Sequence, residues 1–344
     1  MTQMMFTIMV SACLLSSSQD DGRKTKSNQA DMLRAVADAY DENRNAFTFG
    51  TVEFDYTDGL AADIEAAKRG DLRDAHTASG VFHFDGKDAY YSRVFSLADL
   101  EATTIVLGER RSSCRLDPRR MLTNGKQTLT EVSALARVNA NGIAYGRRLS
   151  AGSNDFFQFV EIPLDLGRPD FQRHDLARSI RAALDGKDGA RVEGADDSTV
   201  LEGIKTVQVA LALKYGKRTC WVDLDRGAVP LRIVDAVPGN PGIERHYGDL
   251  RKVEGRGWLP FSMTTFVNGG QVKRITIKNA DFRQAPPRSA FRMEFDTPYM
   301  LVDMEAGLTY AKLKVVDLNN LPDRSSPDVI TFDKNKVKVV PPPR

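Results

Sequence analysis

From Thr206 to Phe282 the chain is a succession of short alternating runs separated by glycine-containing turns, and nothing else in it narrows the fold as much. Val207, Val209, Leu211, Leu213 and Tyr215 fall on one side of a period-two run. CWVDLDRGAVPLR (220–232) follows, two β-like stretches about the turn residues Asp225-Arg226-Gly227. Further on, Asn268-Gly269-Gly270 separates two more runs, and Ile275 and Ile277 alternate with Arg274, Thr276 and Lys278. Side chains on a strand point to alternate faces, so such runs predict half-buried strands. Consecutive hairpins of them predict an antiparallel meander.

The earlier half carries the same signals less densely. Residues 27–40 place Met32, Leu33, Val36 and Tyr40 at helical spacing, with Ser27, Asn28 or Asp31 able to cap the start. Phe47 to Tyr56 alternates, Val52, Phe54 and Tyr56 opposing Glu53 and Asp55, and reads as a strand. LAADIEAAKRGDLRD (60–74) has helical composition. Gly80 to Phe95 and Met121 to Val132 are hairpins turning at Asp85-Gly86-Lys87 and Asn124-Gly125. Phe171 to Asp185 is a helix with Leu176, Ile180 and Leu184 on one stripe, and GKDGARVEGADDS (186–198) reads as a polar connector. No linker divides the chain, which suggests one domain over 27–315 with an insertion at 133–197 and a loose tail at 316–344.

Residues 1–19 contain no charged side chain, and Met4 to Leu15 is an apolar run too short to span a bilayer comfortably. This is the pattern of a secretory signal. Val10-Ser11-Ala12-Cys13 also fits a lipobox, in which Cys13 would be acylated. Removal of the leader would leave Cys114 and Cys220, and a disulfide between them would stabilise an exported protein by about 4–5 kcal/mol. Cys220 sits in an apolar strand, where a buried free thiol is as ordinary. Lys and Arg number 48 against 46 Asp and Glu, so no global attraction toward nucleic acid is expected.

Motifs that carry chemistry are scarce. The four histidines, His76, His83, His174 and His246, make no HExxH or i, i+4 metal pair, and no P-loop, GxSxG elbow or CxxC occurs. Asp223-Leu224-Asp225-Arg226-Gly227 begins like a calcium loop, but the fifth and twelfth positions hold Gly227 and Val234. Asp196-Asp197 lies in the polar connector and reads as solvated. No cofactor is expected. One basic cluster, Arg110, Arg111, Arg115, Arg119 and Arg120, could meet anionic headgroups or an acidic partner, and is equally readable as a salt-linked loop diluted by Glu109 and Asp117.

Taken in order, these stretches resemble a known family. An amphipathic N-terminal helix precedes FTFGTVEF (47–54), and hairpins follow. WVDLDRGAVPLR, Tyr247-Gly248-Asp249-Leu250, GWLP (257–260), ITIKNADF (275–282) and FRMEFDTPYMLVD (291–303) then come in succession. The pattern is similar to that of the outer-membrane lipoprotein-sorting (LolA-like) proteins and their half-barrel relatives. It matches over about 200–303 and more loosely over 27–132. The resemblance implies a mainly β (α+β) fold: a large curved antiparallel sheet forming an incomplete barrel, with helices over its concave face. It also implies a non-catalytic protein of the periplasm or cell envelope, peripheral to the membrane, holding a lipid or lipoprotein acyl chain. Each acyl CH₂ buried would contribute about 0.8 kcal/mol. Candidate lining residues are Val207, Val209, Leu211, Leu213, Val222, Leu224, Leu231, Ile233, Ile275 and Ile277, which would otherwise be ordinary core. The alternatives are an envelope sensor module that takes a partner peptide, and an enzyme built around His83 or His246.

Overall fold

The computed structural model describes residues 28–62, 66, 69, 71–95, 120–131, 147–151, 175–214, 216–239, 242–267, 270–303 and 308–331. Helix α1 (28–45) leads into β1 (Phe49–Leu60), β2 (Arg73–Asp85), β3 (Asp88–Phe95), β4 (Arg120–Thr123), β5 (Gln127–Glu131) and β6 (Arg147–Ala151). Helix α2 (Leu176–Asp185) precedes β7 (Arg191–Leu201), β8 (Ile204–Leu213), β9 (Gly216–Asp223), β10 (Val229–Ala236) and β11 (Ile243–Lys252). The chain ends in β12 (Trp258–Val267), β13 (Gln271–Asp281), β14 (Met293–Asp303), β15 (Leu308–Val316) and β16 (Val329–Thr331). The expected mainly β architecture, with long antiparallel ladders and helices, is what the chain adopts. It divides into two compact units, one of residues 1–45 and 172–246, the other of 46–171 and 247–344.

In the first unit the ladder runs β7-β8-β9-β10-β11, each strand beside its neighbour in sequence, and among the described residues β7 pairs with β8 alone. Short glycine turns set that order. Gly227, at φ +70°, closes the β9–β10 hairpin, and a Cβ there would come within 2.8 Å of the Asn43 Cβ on α1. Helix α1 buries Leu33, Val36, Ala37 and Tyr40, an i, i+3, i+4, i+7 stripe. Helix α2 packs on β7 and β8. It buries Leu176, Ala177, Ser179, Ile180 and Ala183, so the stripe includes Ala183 where Leu184 was expected. Asp175 caps its start, and Gly186 ends it in a left-handed conformation. The stretch 186–198 is not a connector throughout. From Arg191 it is strand β7, whose exposed surroundings require no apolar alternation. An end strand can fold on backbone hydrogen bonds alone, and this one carries acidic residues and two register shifts, features that blunt an edge.

In the second unit the order is β6-β5-β4-β3-β2-β1-β13-β12-β11, and among the described residues β6 pairs with β5 alone. The predicted strand at Phe47–Tyr56 is β1, with Val52, Phe54 and Tyr56 buried as expected. Leu60 ends that strand, and Arg73 and Asp74 open β2, so the ends of the predicted 60–74 helix are β instead. Leu60 pairs with Gln271 of β13 and with Arg73 of β2, and this cross-strand pairing overrides the local helical composition there. The Asp85-Gly86-Lys87 and Asn124-Gly125 hairpins form where predicted, with φ of +59° and +78° at the glycines.

A second, three-stranded sheet β14-β15-β16 buries Phe291, Met293, Phe295, Leu308, Tyr310, Val316, Leu318 and Val329 with Leu122 and Leu129 of the main ladder. Polar ties run beside this core. Asn124 Nδ2 donates to the Leu318 carbonyl at 3.0 Å, and Arg288 Nη1 to Asp88 at 2.6 Å. Residues 316–331, read as tail from sequence, therefore extend the fold. Their charged and proline-rich composition hides three core residues, Val316, Leu318 and Val329.

Candidate functional site

Antiparallel register brings the apolar side chains of the first unit into rows on one face. Val207 lies opposite Val222, Val209 opposite Cys220, and Leu211 opposite Arg218. Cys220 in turn faces Ile233, which faces Arg245, while Arg218 faces Asp235. Val207, Val209, Leu211, Val222, Leu231 and Ile233 are all buried, and Leu213 is half-buried at the strand end. Leu224 departs from the expected set. It starts a 3₁₀ turn and is 38% exposed, because the β9 alternation stops at Asp223. Ile275 and Ile277 are buried in the second unit, opposite Tyr56 and Phe54.

Charge interrupts this apolar face where sequence reading expected none. Arg218, with a side chain 4% exposed, holds Asp235 with two parallel bonds, Nε to Oδ1 at 2.6 Å and Nη2 to Oδ2 at 3.1 Å. Arg245 Nη1 donates to the same Oδ2 at 2.9 Å. Burial opposes ionisation of Asp235, but the two guanidiniums more than offset it and hold the carboxyl below its usual range. The adjacent Cys220 thiol is pushed up to about 12 by burial. It is a buried free thiol, and Cys114 lies outside the described residues. In the second unit Arg93, also buried, lies 4.0 Å over the Tyr56 ring, on a strand face with Phe54 stacked on Tyr91. Arg93, Arg218, Asp235 and Arg245 share one signal in the sequence. Each is a charged residue at an apolar parity of its strand, two positions from Tyr91, Cys220, Ile233 and Ile243 respectively.

The histidines are placed differently. His83 Nδ1 is 2.9 Å from Thr51 Oγ1 and its ring is stacked on Tyr90; burial lowers its pKa, with Glu53 opposing. His246 Nε2 is 2.5 Å from Glu244 Oε1, which also meets Arg232 Nε at 2.8 Å. Arg232 in turn lies over Trp221, 4.8 Å from its centroid. Glu244, His246, Arg232 and Trp221 occupy the strand parity opposite to Cys220, so this His–carboxylate pair is on the face away from the apolar rows. Among the described residues no three His, Cys, Asp or Glu side chains gather as a metal site. Asp196 is in β7, where its carboxylate accepts from the Ser198 hydroxyl and N–H, a local turn contact.

Of the basic cluster, Arg110, Arg111, Arg115 and Arg119 lie outside the described residues. Arg120 donates to the Glu294 carbonyl at 2.7 Å and sits over Phe295, so it fastens β14. Cys13 and the leader also lie outside them. Among the described residues no helix is long and apolar enough to cross a membrane. A further arginine missed in the sequence, Arg256, donates to the Ala46 and Phe282 carbonyls at 2.9 and 2.7 Å.

No protein-family model and no curated protein matches the chain. Solved structures similar to it include a DUF1329 family protein from Desulfovibrio piger ATCC 29098, 14% identical, covering 75% of this chain and 96% of that one at a TM-score of 0.41. Another is a domain described as that of an outer membrane lipoprotein-sorting protein from Vibrio parahaemolyticus: 8% identity, 76% and 97% coverage, TM-score 0.45. A LolA superfamily protein from Nitrosomonas europaea is similar at 11% identity, 75% and 95% coverage and a TM-score of 0.40.

Proposed function

We propose that this chain is an exported, non-catalytic binding protein that holds an amphiphile, a lipid or a lipoprotein acyl chain, against its apolar strand face. The observation that carries the reading is the mixture on that face in the first unit. Leu211 stands opposite Arg218 of a buried arginine–aspartate pair, with Val209 and Ile233 in the adjoining rows, and buried ion pairs of this kind often give no more stability than apolar side chains of similar volume. An apolar wall with a few placed polar groups is the general form of a small-molecule site.

Helix α2, which packs on β7 and β8, depends on that packing for its form. Helix α2 has 10 residues, too few to hold helical form without packing, and three of its five buried side chains are alanine or serine. It is joined to α1 by ion pairs, a largely buried one between Arg44 and Asp175 and more exposed ones from Arg181 to Asp38 and Asp41. The rival reading, a peptide added to a sheet edge, is opposed at β7 by its two register shifts and by Glu193, Asp196 and Asp197.

Native mass spectrometry with lipid extraction, on protein purified from its own envelope without detergent, tests the proposal. A co-purified lipid or acylated peptide supports it. A clean apo mass that added lipids do not change overturns it in favour of a peptide-binding or structural module.

A further inference from the structure

One face of the second unit's sheet is apolar through its middle and turns polar near the strand ends. Met263, Ile275, Tyr56 and Ala78 are register partners in turn across β12, β13, β1 and β2, and all four are buried. The next row on the same face is Thr265, Lys273, Asp58 and His76. It lies close to where β12 stops at Val267, β13 starts at Gln271 and β1 stops at Leu60. Lys273, Asp58 and His76 are each engaged by neighbours, Asp58 accepting from the Tyr56 hydroxyl at 3.4 Å and from Gln271 Nε2 at 3.3 Å. Thr265 differs. It is 3% exposed, and its hydroxyl has no hydrogen-bond partner among the described residues. Other buried threonines are satisfied: Thr206 Oγ1 donates to the Thr199 carbonyl at 3.3 Å, and Thr128 Oγ1 to Thr123 Oγ1 at 3.1 Å. Valine would fill the Thr265 position with the same shape and no desolvated hydroxyl, so packing alone does not call for threonine there.

Resting on the amphiphile reading above for the class of ligand, we infer that Thr265 is a binding residue of the second unit, its hydroxyl meeting an uncharged oxygen of an acylated ligand, the ester carbonyl or an adjoining hydroxyl, with the chain along the row of Met263 and Ile275. A hydroxyl carries one donor and two acceptor positions, so it serves a carbonyl or a hydroxyl equally. An ionised oxygen would give up its hydration for a single neutral bond, so the site favours the ester over a free carboxylate. In surroundings of low dielectric that bond is stronger than in water, and it satisfies a group that is otherwise desolvated.

The test titrates monolaurin and n-decane, by competition with a fluorescent apolar probe, against the wild type, Thr265→Val and Thr265→Ser, and melts each protein without ligand. Thr265→Val should raise the melting midpoint by about 2 °C or more, because it deletes an unsatisfied buried hydroxyl and keeps the shape. It should weaken monolaurin binding about fivefold or more and leave decane binding unchanged. Thr265→Ser, which keeps the hydroxyl, should retain the wild-type ratio of monolaurin to decane affinity. A lower midpoint in Thr265→Val, or equal losses of both ligands, would mean that Thr265 acts through packing and would overturn the inference. Affinities for both ligands that are the same in the wild type and Thr265→Val would also overturn it and leave the amphiphile reading standing. Binding of neither ligand to the wild type would overturn both.

Discussion

Asp175 and Arg44 are joined by a 2.6 Å ion pair, and the same carboxylate caps α2 by accepting from the Arg178 N–H at 3.1 Å. One side chain therefore starts a helix and fastens it to another. Burial works against the Arg44 charge, but Asp175 together with Tyr40 and Asp41 more than compensates, and its pKa stands above the ordinary value. Asp175→Ala should remove the cap and leave Arg44 largely buried without this partner, a loss of about 2–4 kcal/mol. Chemical denaturation monitored by circular dichroism measures it, and a loss under about 1 kcal/mol would mean that water replaces the pair.

Gly80 on β2 lies under the Phe54 ring. A Cβ at Gly80 would stand 2.3 Å from Phe54 Cζ and 2.7 Å from the Ser92 carbonyl oxygen. Gly80→Ala should destabilise by about 1–3 kcal/mol through overpacking. Gly86→Ala, where nothing lies within 4 Å but φ is +59°, should cost about 1 kcal/mol from backbone strain alone. Melting curves of the two variants should rank in that order, and the reverse order would refute the steric account.

The apolar rows can be tested apart from the fold's general tolerance to charge. Leu211 is fully buried, whereas Lys214 is exposed in the turn that ends β8. Leu211→Asp should abolish lipid retention or folding, and Lys214→Asp should do neither. Retention of ligand by both variants in native mass spectrometry would remove Leu211 from the binding face.

Asp235 and Cys220 predict opposite pH limits. The folded pKa of Asp235 is depressed, so its contribution is complete above the ordinary value of 3.8 and is lost as pH falls through the folded value. Asp235→Asn should flatten the acid limb of a stability–pH profile. Cys220 is raised, from an ordinary 9.0 to about 12, so unfolding is favoured as pH climbs through that interval, where only the unfolded chain forms thiolate. Cys220→Ser should flatten the alkaline limb. In the wild type a thiol reagent should label Cys220 at the rate of unfolding, and faster labelling would contradict its burial.

The meander from Thr206 to Phe282 was readable because alternation and turn glycines are local signals: Gly227 stops β9 from continuing, and Ile275 and Ile277 report which face is dry. Strand β7 was not readable. Its residues face solvent, so the pairing that makes it a strand comes from β8 and leaves no mark in its own composition. The ends of 60–74 show the reverse conflict, helical composition overruled by ladder partners, β13 and β2 for Leu60 and β1 for Arg73.

The sequence by itself determined the periodicity of the strands, the positions of the Asp85-Gly86-Lys87, Asn124-Gly125 and Asp225-Arg226-Gly227 turns and the apolar stripe of α1, since each depends on residues within a few positions of one another. Only the tertiary structure decided that Arg218, Asp235 and Arg245 form one cluster, and that Leu224 lies off the face that holds Val222. Arg218 and Asp235 are 17 positions apart and meet only through the β9–β10 register. A charge among apolar neighbours has a different energy according to what stands opposite it, and the strand pairing, not the local pattern, supplies that partner.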